Sequence, residues 1–277
     1  MPIQLFESED HASTYVRSRP SPPLSLINSI VDFVDAGNQK NENGTWSRAV
    51  DVGSGSGQNT FLIKDYFDEI LGVDISSAQI AEANKRNTYP NISFKVSGAE
   101  SIPLEDKSVN LVTASQCLHW FDITSFYKEV DRLLAPGGVF AASGYICYPL
   151  RSPDDCPVND KMASVIENAF NNLELLGCWE QPMMNFLHSK YDNLKLPYRN
   201  CKRLTDIVCP VTYDGQTFLE YITSWSAYNT LALKSPEKAT IFIDDIVNRM
   251  KNILGTDDFA SIKINLNFEF FLLLSRK

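Results

Sequence analysis

No run of apolar residues in this 277-residue chain approaches the ~18–20 that a membrane-spanning helix needs, so no membrane partner is expected. None of the six cysteines (Cys117, Cys147, Cys156, Cys178, Cys201 and Cys209) pairs with another at C-x-x-C spacing, and the three histidines are scattered. Zinc-site spacing is therefore missing; no metal is expected, and the thiols read as reduced and structural. Basic clusters are also missing. Basic residues are confined to small groups such as Lys85-Arg86, and the net charge is −9. Proteins that grip a phosphate backbone carry a basic face, so nucleic acid is excluded as an expected partner. The first ten residues are acidic and lack the charged-then-apolar order of a secretory signal, which makes a cytoplasmic location the expectation. In that setting the sequons Asn43-Gly44-Thr45 and Asn91-Ile92-Ser93 read as chance.

What is present is ordinary for a globular protein: 44% hydrophobic and 21% charged residues. The length suits one large α/β domain with an insertion, or two small domains. The stretch Ala49-Val50-Asp51-Val52-Gly53-Ser54-Gly55-Ser56-Gly57-Gln58 organises the rest. It reads as a short buried strand that stops in three alternating glycines, before Phe61, Leu62 and Ile63 open an apolar helical face. Glycine belongs where backbone turns at positive φ or approaches a ligand with no Cβ in the way. A strand, a glycine turn and a helix start together present free N–H groups at the carboxyl end of a parallel strand, a nucleotide-type site.

Apolar residues at helical spacing from Leu24 to Val34 predict a helix after the prolines Pro20, Pro22 and Pro23, and 37–45 reads as a polar surface turn. Strands are expected at Arg48–Val52, Glu69–Asp74, Ile92–Val96, Val109–Ala114 and Val139–Ala142. Between them come a helix of about ten residues reaching Phe67, one capped by Ser76 or Ser77, and one capped by Asp122 that runs to Pro136-Gly137-Gly138. This alternation predicts a Rossmann-like, doubly wound seven-stranded sheet, mostly parallel, with a C-terminal antiparallel hairpin and a mostly helical cap insertion. Residues 148–160 read as a proline-rich loop, Leu204–Tyr213 as a strand, Phe218–Tyr228 as one aromatic-rich helical segment, and 235–254 as a helix. The final runs Ser261–Leu266 and Phe268–Leu274 read as the hairpin. The expected division is an N-terminal segment and helix (1–47), a cofactor-binding core (48–145), a cap over the carboxyl edge (146–234), and a last helix with the closing hairpin (235–277).

Two ligands compete for the glycine turn. The dinucleotide fingerprint G-x-G-x-x-G wants its third glycine one position later than Gly57, although the acid at the end of the second strand is present as Asp74. An acidic residue at 51 beside the turn favours a cationic ligand over a pyrophosphate, since like charges repel. A nicotinamide-dependent oxidoreductase is therefore the second choice.

The stretch Asp51-Val-Gly-Ser-Gly-Ser-Gly57 resembles motif I of class I S-adenosylmethionine-dependent methyltransferases. Gly72-Val-Asp74-Ile-Ser76 resembles motif II, and Gly98-Ala99-Glu100-Ser-Ile-Pro103-Leu the adenine loop of that family. Ser115-Gln116-Cys-Leu-His119-Trp120-Phe-Asp122 is similar to the segment after strand four in its small-molecule subset, and Leu133-Leu-Ala-Pro136-Gly137-Gly138 to the turn before strand five. These motifs keep the family's order across residues 48–145. Tyr15-x-x-x-Arg19-Pro20, Ser224-Trp225-Ser226-Ala227-Tyr228 and the terminal hairpin resemble the subgroup containing trans-aconitate methyltransferases.

The resemblance implies S-adenosylmethionine as cofactor and a small organic acceptor, with O-methylation of a carboxylic acid first in line. It implies that Gly53, Ser54, Gly55 and Gly57 bring backbone to the methionine moiety while Asp51 supports the loop. Asp74 would take both ribose hydroxyls, Ile75 would pack on the adenine, Ala99 and Glu100 would border its edge, and Ser115 with Gln116 would line the site. Gly98 stands where relatives often carry Asp, which leaves adenine recognition to backbone or to Glu100; Asn110 replaces a common Asp at the start of strand four.

The remaining candidates each have a plain structural alternative. A carboxylate acceptor is already ionised and needs no base, whereas an amine or hydroxyl acceptor does, and His119 is the only histidine inside a motif. His119 is thus a catalytic base or a satisfied structural histidine. Tyr15 could face the sulfonium as a cation–π partner, and Arg19 or Arg17 could grip a carboxylate, or these residues simply tie the N-terminal segment down. Trp120, Trp225 and Tyr228 line the acceptor or serve as packing. An Asn/Asp-Pro-Pro-Tyr/Phe motif is absent after strand four, which with the acidic charge turns the reading from nucleic acid and protein glutamine toward small molecules. A catalytically silent cofactor-binding protein is a further alternative, and a monomer or homodimer is expected.

Overall fold

The structure is a computed structural model that describes residues 9–151 and 156–277, with side chains from 14 onward except 147–151. Among the described residues seven strands form one sheet: β1 (Trp46–Val52), β2 (Phe67–Asp74), β3 (Ile92–Val96), β4 (Val109–Ser115), β5 (Leu134–Arg151), β6 (Asn200–Tyr213) and β7 (Ile264–Arg276). Their order is β3-β2-β1-β4-β5-β7-β6. The first five pair in parallel, with Asp51 beside Gly72 on one side and Thr113 on the other. β1 therefore lies where the strand order reverses, and the ends of β1, β2 and β4 gather the residues that a ligand at such a point meets.

The central strands are buried along most of their length because their sequences are near-continuous apolar runs. Val50, Val52, Leu71, Val73, Leu111 and Val112 are all interior. Ser76 caps α3 (Ser77–Arg86) by accepting from the Gln79 N–H, and Asp122 caps α4 (Ile123–Leu133) by accepting from the Thr124 N–H; here α1 is Glu9–Ser18 and α2 is Leu24–Asp35. In α4 the residues Phe126, Glu129, Val130 and Leu133 face inward, at the spacing one helix face requires.

The expected seven-stranded mixed sheet is present, but several of its parts are built differently from the sequence reading. In place of a ten-residue helix after the glycine turn stands a 3-10 turn, Thr60–Ile63, with i→i+3 bonds from Leu62 N to Asn59 O and from Tyr66 N to Ile63 O. β2 then begins at Phe67, opposite Trp46. The two terminal runs are one strand, β7. Its alternation of buried Ile264, Leu266, Phe268 and Phe270 passes through Asn267 unbroken, and a single residue cannot make a hairpin loop. The antiparallel partner of β7 is β6: Thr212 meets Asn265 near one end, and Tyr198 meets Ser275 near the other. β5 starts at Leu134, directly after α4, and runs to Arg151, into the stretch read as loop; the middle of that loop, 152–155, lies outside the described residues, as do residues 1–8. The aromatic segment 218–228 is two helices, α7 (Gly215–Thr223) and α8 (Ser226–Lys234), broken at Ser224 and Trp225; α5 is Pro157–Leu175 and α6 is Gln181–His188.

The chain divides into two compact units. One holds Ser21–Tyr145, Phe186–Ile207 and Phe270–Lys277, and so most of the sheet; the other holds the segment ending at Pro20 with Ile146–Asn185 and Val208–Glu269. In the second unit α1 packs on α7, and α5 and α8 pack on α9 (Pro236–Leu254). Its interior is aromatic: Phe170 stacks on Trp179 at 4.7 Å, and Trp225 meets both Trp179 and Tyr221.

Candidate active site

The glycine turn is anchored from beneath by a carboxylate. Asp51 is fully buried at the end of β1, where it accepts from Asn59 Nδ2 (2.9 Å), Thr60 Oγ1 (2.6 Å) and Thr113 Oγ1 (2.7 Å). Burial raises its pKa, the three donors oppose that rise, and nearby Asp74 adds to it. Its charge is thus held inside the protein by three donors, and it still acts on Asp74 beside the turn. Gly53 (φ +66°) and Gly55 (φ +53°) both need the left-handed region. A Cβ at Gly53 would lie 2.7 Å from Cys117 Sγ, whereas one at Gly55 would meet nothing nearer than Gln79 Oε1 at 3.6 Å. Gly57 closes the turn through its N–H on Ser54 O, and Arg86 of α3 clasps the Ser56 carbonyl at 2.9 Å.

At the end of β2, Asp74 accepts from the Gly55 N–H and the Ser76 N–H, each at 2.9 Å. Ile75 beyond it is 58% exposed, an apolar side chain standing at the tip of a strand. The loop after β3 carries Ala99, which is buried, and Glu100, which is exposed. That loop is held from α4: buried Glu129 accepts from the Ile102 N–H at 2.6 Å, and Arg132 donates to Ile102 O, Leu104 O and both oxygens of Glu129.

The end of β4 is more occupied than the sequence suggested. Ser115 pairs with the Ser143 hydroxyl at 3.0 Å. Gln116 has a left-handed backbone (φ +56°), and its amide accepts from Tyr145 N (2.7 Å) and donates to Tyr145 O (3.3 Å), so it ties β4 to β5. Cys117 donates its thiol to Val52 O at 3.1 Å, and burial pushes its pKa well up. His119 is half-buried, and its Nδ1 lies 2.9 Å from the Tyr191 hydroxyl. Desolvation lowers the His119 pKa to about 3, so the ring is neutral at physiological pH. Trp120, 39% exposed, stands with its ring 5.5 Å from the imidazole.

Five sequence candidates lie in the other unit. Arg19 donates from Nε to Ser224 Oγ (2.7 Å) and from Nη2 to Ser224 O (2.8 Å), with its guanidinium over Tyr15 at 4.8 Å and over Tyr221 at 5.5 Å. The cation on the Tyr15 face is thus the chain's own. Arg17 pairs with Glu220 at 3.2 Å. Trp225 is an interior residue, only 1% exposed, and Tyr228 packs 6.0 Å from Phe242.

In the sheet unit the structure brings together Asp51, the glycine turn, Asp74, Ile75, Ala99, Glu100, Ser115, Gln116, His119 and Trp120. It adds residues the sequence reading passed over: Asn59, Thr60 and Thr113 under the turn, Arg86 across it, and Tyr191 on the histidine. Asn59 and Thr60 were legible as amide and hydroxyl groups a short way beyond a buried acid, whereas Tyr191 lies 72 residues from His119 and carried no signal. Around the turn the side-chain oxygens Ser54 Oγ, Ser56 Oγ and Gln79 Oε1 are buried without a hydrogen-bond partner among the described residues. Unmet polar atoms, an open face at Gly55 and an exposed apolar Ile75 beside a carboxylate suit a polar ligand with a ribose and a flat base. That donor set fits S-adenosylmethionine. No group of three or more His, Cys, Asp or Glu among the described residues could hold a metal, and no helix among them is long and apolar enough to cross a membrane.

Comparison with known proteins agrees with this geometry. Residues 50–142 match the family model described as a methyltransferase domain. A protein of Dictyostelium discoideum named as a methyltransferase is 29% identical over 83% of this chain and 82% of its own. One of Saccharomyces cerevisiae, named as an S-adenosylmethionine-dependent methyltransferase, is 26% identical over 95% of this chain and 94% of its own. A solved structure from Anaeromyxobacter dehalogenans, named as a type II methyltransferase, shares the fold with a TM-score of 0.69 at 24% identity, covering 93% of this chain and 97% of that one.

Proposed function

Because this chain is an S-adenosylmethionine-dependent methyltransferase with S-adenosylmethionine as its cofactor, we propose that it methylates an oxygen of a small carboxylic acid, the chemistry implied by its resemblance to the trans-aconitate subgroup. When bound, the cofactor supplies an electrophilic methyl group that an acceptor displaces in line from sulfur. The residues of the glycine turn hold the methionine end: Gly53, Gly55 and Gly57 let the cofactor approach the backbone with no Cβ in the way, and Ser54 and Ser56 supply the hydroxyls that lack partners. Asp74 takes the ribose hydroxyls, Ile75 covers one face of the adenine, and Ala99 and Glu100 border its edge. Ser115 closes the floor, and Trp120 lines the acceptor side.

The observation that carries the acid reading is the state of His119. Its Nδ1 is engaged by Tyr191 at 2.9 Å, and its pKa is lowered to about 3 by desolvation. Cys117 and Tyr191, the other titratable groups beside it, are both pushed up by burial and stay protonated. A hydroxyl or ammonium acceptor must lose a proton to a base, and a neutral imidazole this weakly basic serves that role poorly. A carboxylate arrives already ionised. The net charge of −9 argues in the same direction against nucleic-acid acceptors.

The test is a panel of small carboxylic acids, phenols, amines and sterols incubated with methyl-labelled cofactor and the purified chain. Methyl esters of acids are the expected products. Label found only in phenols or amines would overturn the reading.

A further inference from the structure

Tyr191 is an unusual residue to find on a histidine. It follows α6 in a turn where both Lys190 (φ +54°) and Tyr191 (φ +58°) take the left-handed conformation that side chains other than glycine rarely adopt. Such backbone persists where the surroundings over-determine it, and they do so at this turn. The ring is completely buried, with Phe186 at 4.5 Å and Phe271 at 5.1 Å edge-on, and Arg203 donates to its carbonyl oxygen at 3.0 Å. The result is a phenol aimed at one atom, His119 Nδ1.

Burial holds the pKa of this hydroxyl well up, so the phenol stays protonated. A neutral phenol has one proton to give. Among the described residues His119 Nδ1 is the hydrogen-bond partner of that oxygen, so the proton is directed to the lone pair of Nδ1. A neutral imidazole that accepts at Nδ1 carries its own proton on Nε2, because the bond made by one nitrogen sets the state of the other. Nε2 has no partner among the described residues, and the ring is only half-buried.

We propose that Tyr191 is a positioning residue that fixes His119 as the Nε2–H tautomer, so that His119 offers a hydrogen-bond donor to an anionic oxygen of the acceptor. The assignment of that oxygen rests on the carboxylic-acid reading; the tautomer itself does not. The histidine singled out from the sequence as a base thereby becomes a group that orients a carboxylate.

Nitrogen-15 NMR of the imidazole rings in the whole folded chain, with S-adenosylhomocysteine bound, reads the tautomer directly. The signal of His119 is assigned by its loss in His119→Gln. The expected spectrum has an unprotonated Nδ1 and a protonated Nε2 for His119. In Tyr191→Phe, which keeps the ring and its packing, the two nitrogen shifts should move toward each other as the tautomers mix. Affinity for S-adenosylhomocysteine should stay the same, and kcat/KM for an acid acceptor should fall about tenfold, mostly through KM. An Nδ1-protonated ring in the unaltered chain, or unchanged shifts in Tyr191→Phe, would overturn the proposal. Because the wild-type spectrum decides by itself, a poorly folded variant does not leave the question open. If the tautomer is as stated but no acid is methylated, the acceptor reading fails and the positioning role stands.

Discussion

The Asp74 carboxylate spans two loops: one oxygen accepts the Gly55 N–H and the other the Ser76 N–H, both at 2.9 Å. A single side chain thus sets the distance between the glycine turn after β1 and the cap of α3. Removing it should loosen both and also remove the acceptor proposed for the ribose hydroxyls. Asp74→Ala is expected to weaken S-adenosylhomocysteine binding by a factor on the order of 100 in titration calorimetry, about 3 kcal/mol, the scale of a lost charge-assisted hydrogen-bond pair. Unchanged binding would remove Asp74 from the site.

Gly53 and Gly55 share a positive φ but differ in what surrounds them, and this difference separates stability from binding. A Cβ on Gly53 would collide with Cys117 Sγ at 2.7 Å and Cβ at 2.8 Å, while one on Gly55 has its nearest neighbour at 3.6 Å. Gly53→Ala should therefore lower the unfolding free energy read from urea denaturation by about 2 kcal/mol, from strain and overpacking together. Gly55→Ala should cost about 1 kcal/mol from its backbone alone, yet weaken cofactor binding more, since its methyl group projects into the open face of the turn. Equal effects of both variants on stability and on binding would contradict the division.

The parts of this architecture that local chemistry dictates were readable in advance. Strands β1, β2 and β4 announce themselves as apolar runs and β3 as an alternation. The glycine turn and Asp74 follow from spacing, and Ser76 and Asp122 cap the helices they precede in sequence. What could not be read depends on where distant residues arrive. The 3-10 turn at Thr60–Ile63 stands in place of a helix, with Asn59 and Thr60 bonded to Asp51 beneath. Gln116 is bonded to Tyr145 and Tyr15 lies under the Arg19 guanidinium, and a sequence pattern does not carry such partners. The same holds for Tyr191.

His119 should make stability sensitive to acid. Its pKa falls from 6.5 to about 3 on folding, so between those values the unfolded chain binds a proton that the folded chain refuses. Stability from this group is complete above pH 6.5 and is lost as pH falls toward 3. The shift sets a ceiling of about 5 kcal/mol; water reaches part of the ring, which brings the expected loss to about 2 kcal/mol. Denaturation of the unaltered chain and of His119→Gln at pH 7, 5.5 and 4 measures the difference. The unaltered chain should lose more stability on acidification; parallel curves would show that the ring is not desolvated.

Glu129 and Arg132 present the opposite case, a buried acid whose partner is fixed by geometry. Burial alone would raise the Glu129 pKa, yet two bonds from Arg132 at 2.7 and 2.8 Å and one from the Ile102 N–H hold it below the usual range. Arg132 also donates to the carbonyls of Ile102 and Leu104, so the pair pins the loop that carries Ala99 and Glu100. Arg132→Ala strands a buried carboxylate and should cost about 3 kcal/mol, more than a surface ion pair is worth. Glu129→Gln keeps the shape and removes the charge, and should cost less. In the double variant the stranded charge is gone, so its cost should fall short of the sum of the two single costs by about 1 kcal/mol or more. Urea denaturation of the four chains completes the cycle. Strict additivity would mean that the two residues act separately on the loop, with no buried charge left stranded when Arg132 is removed.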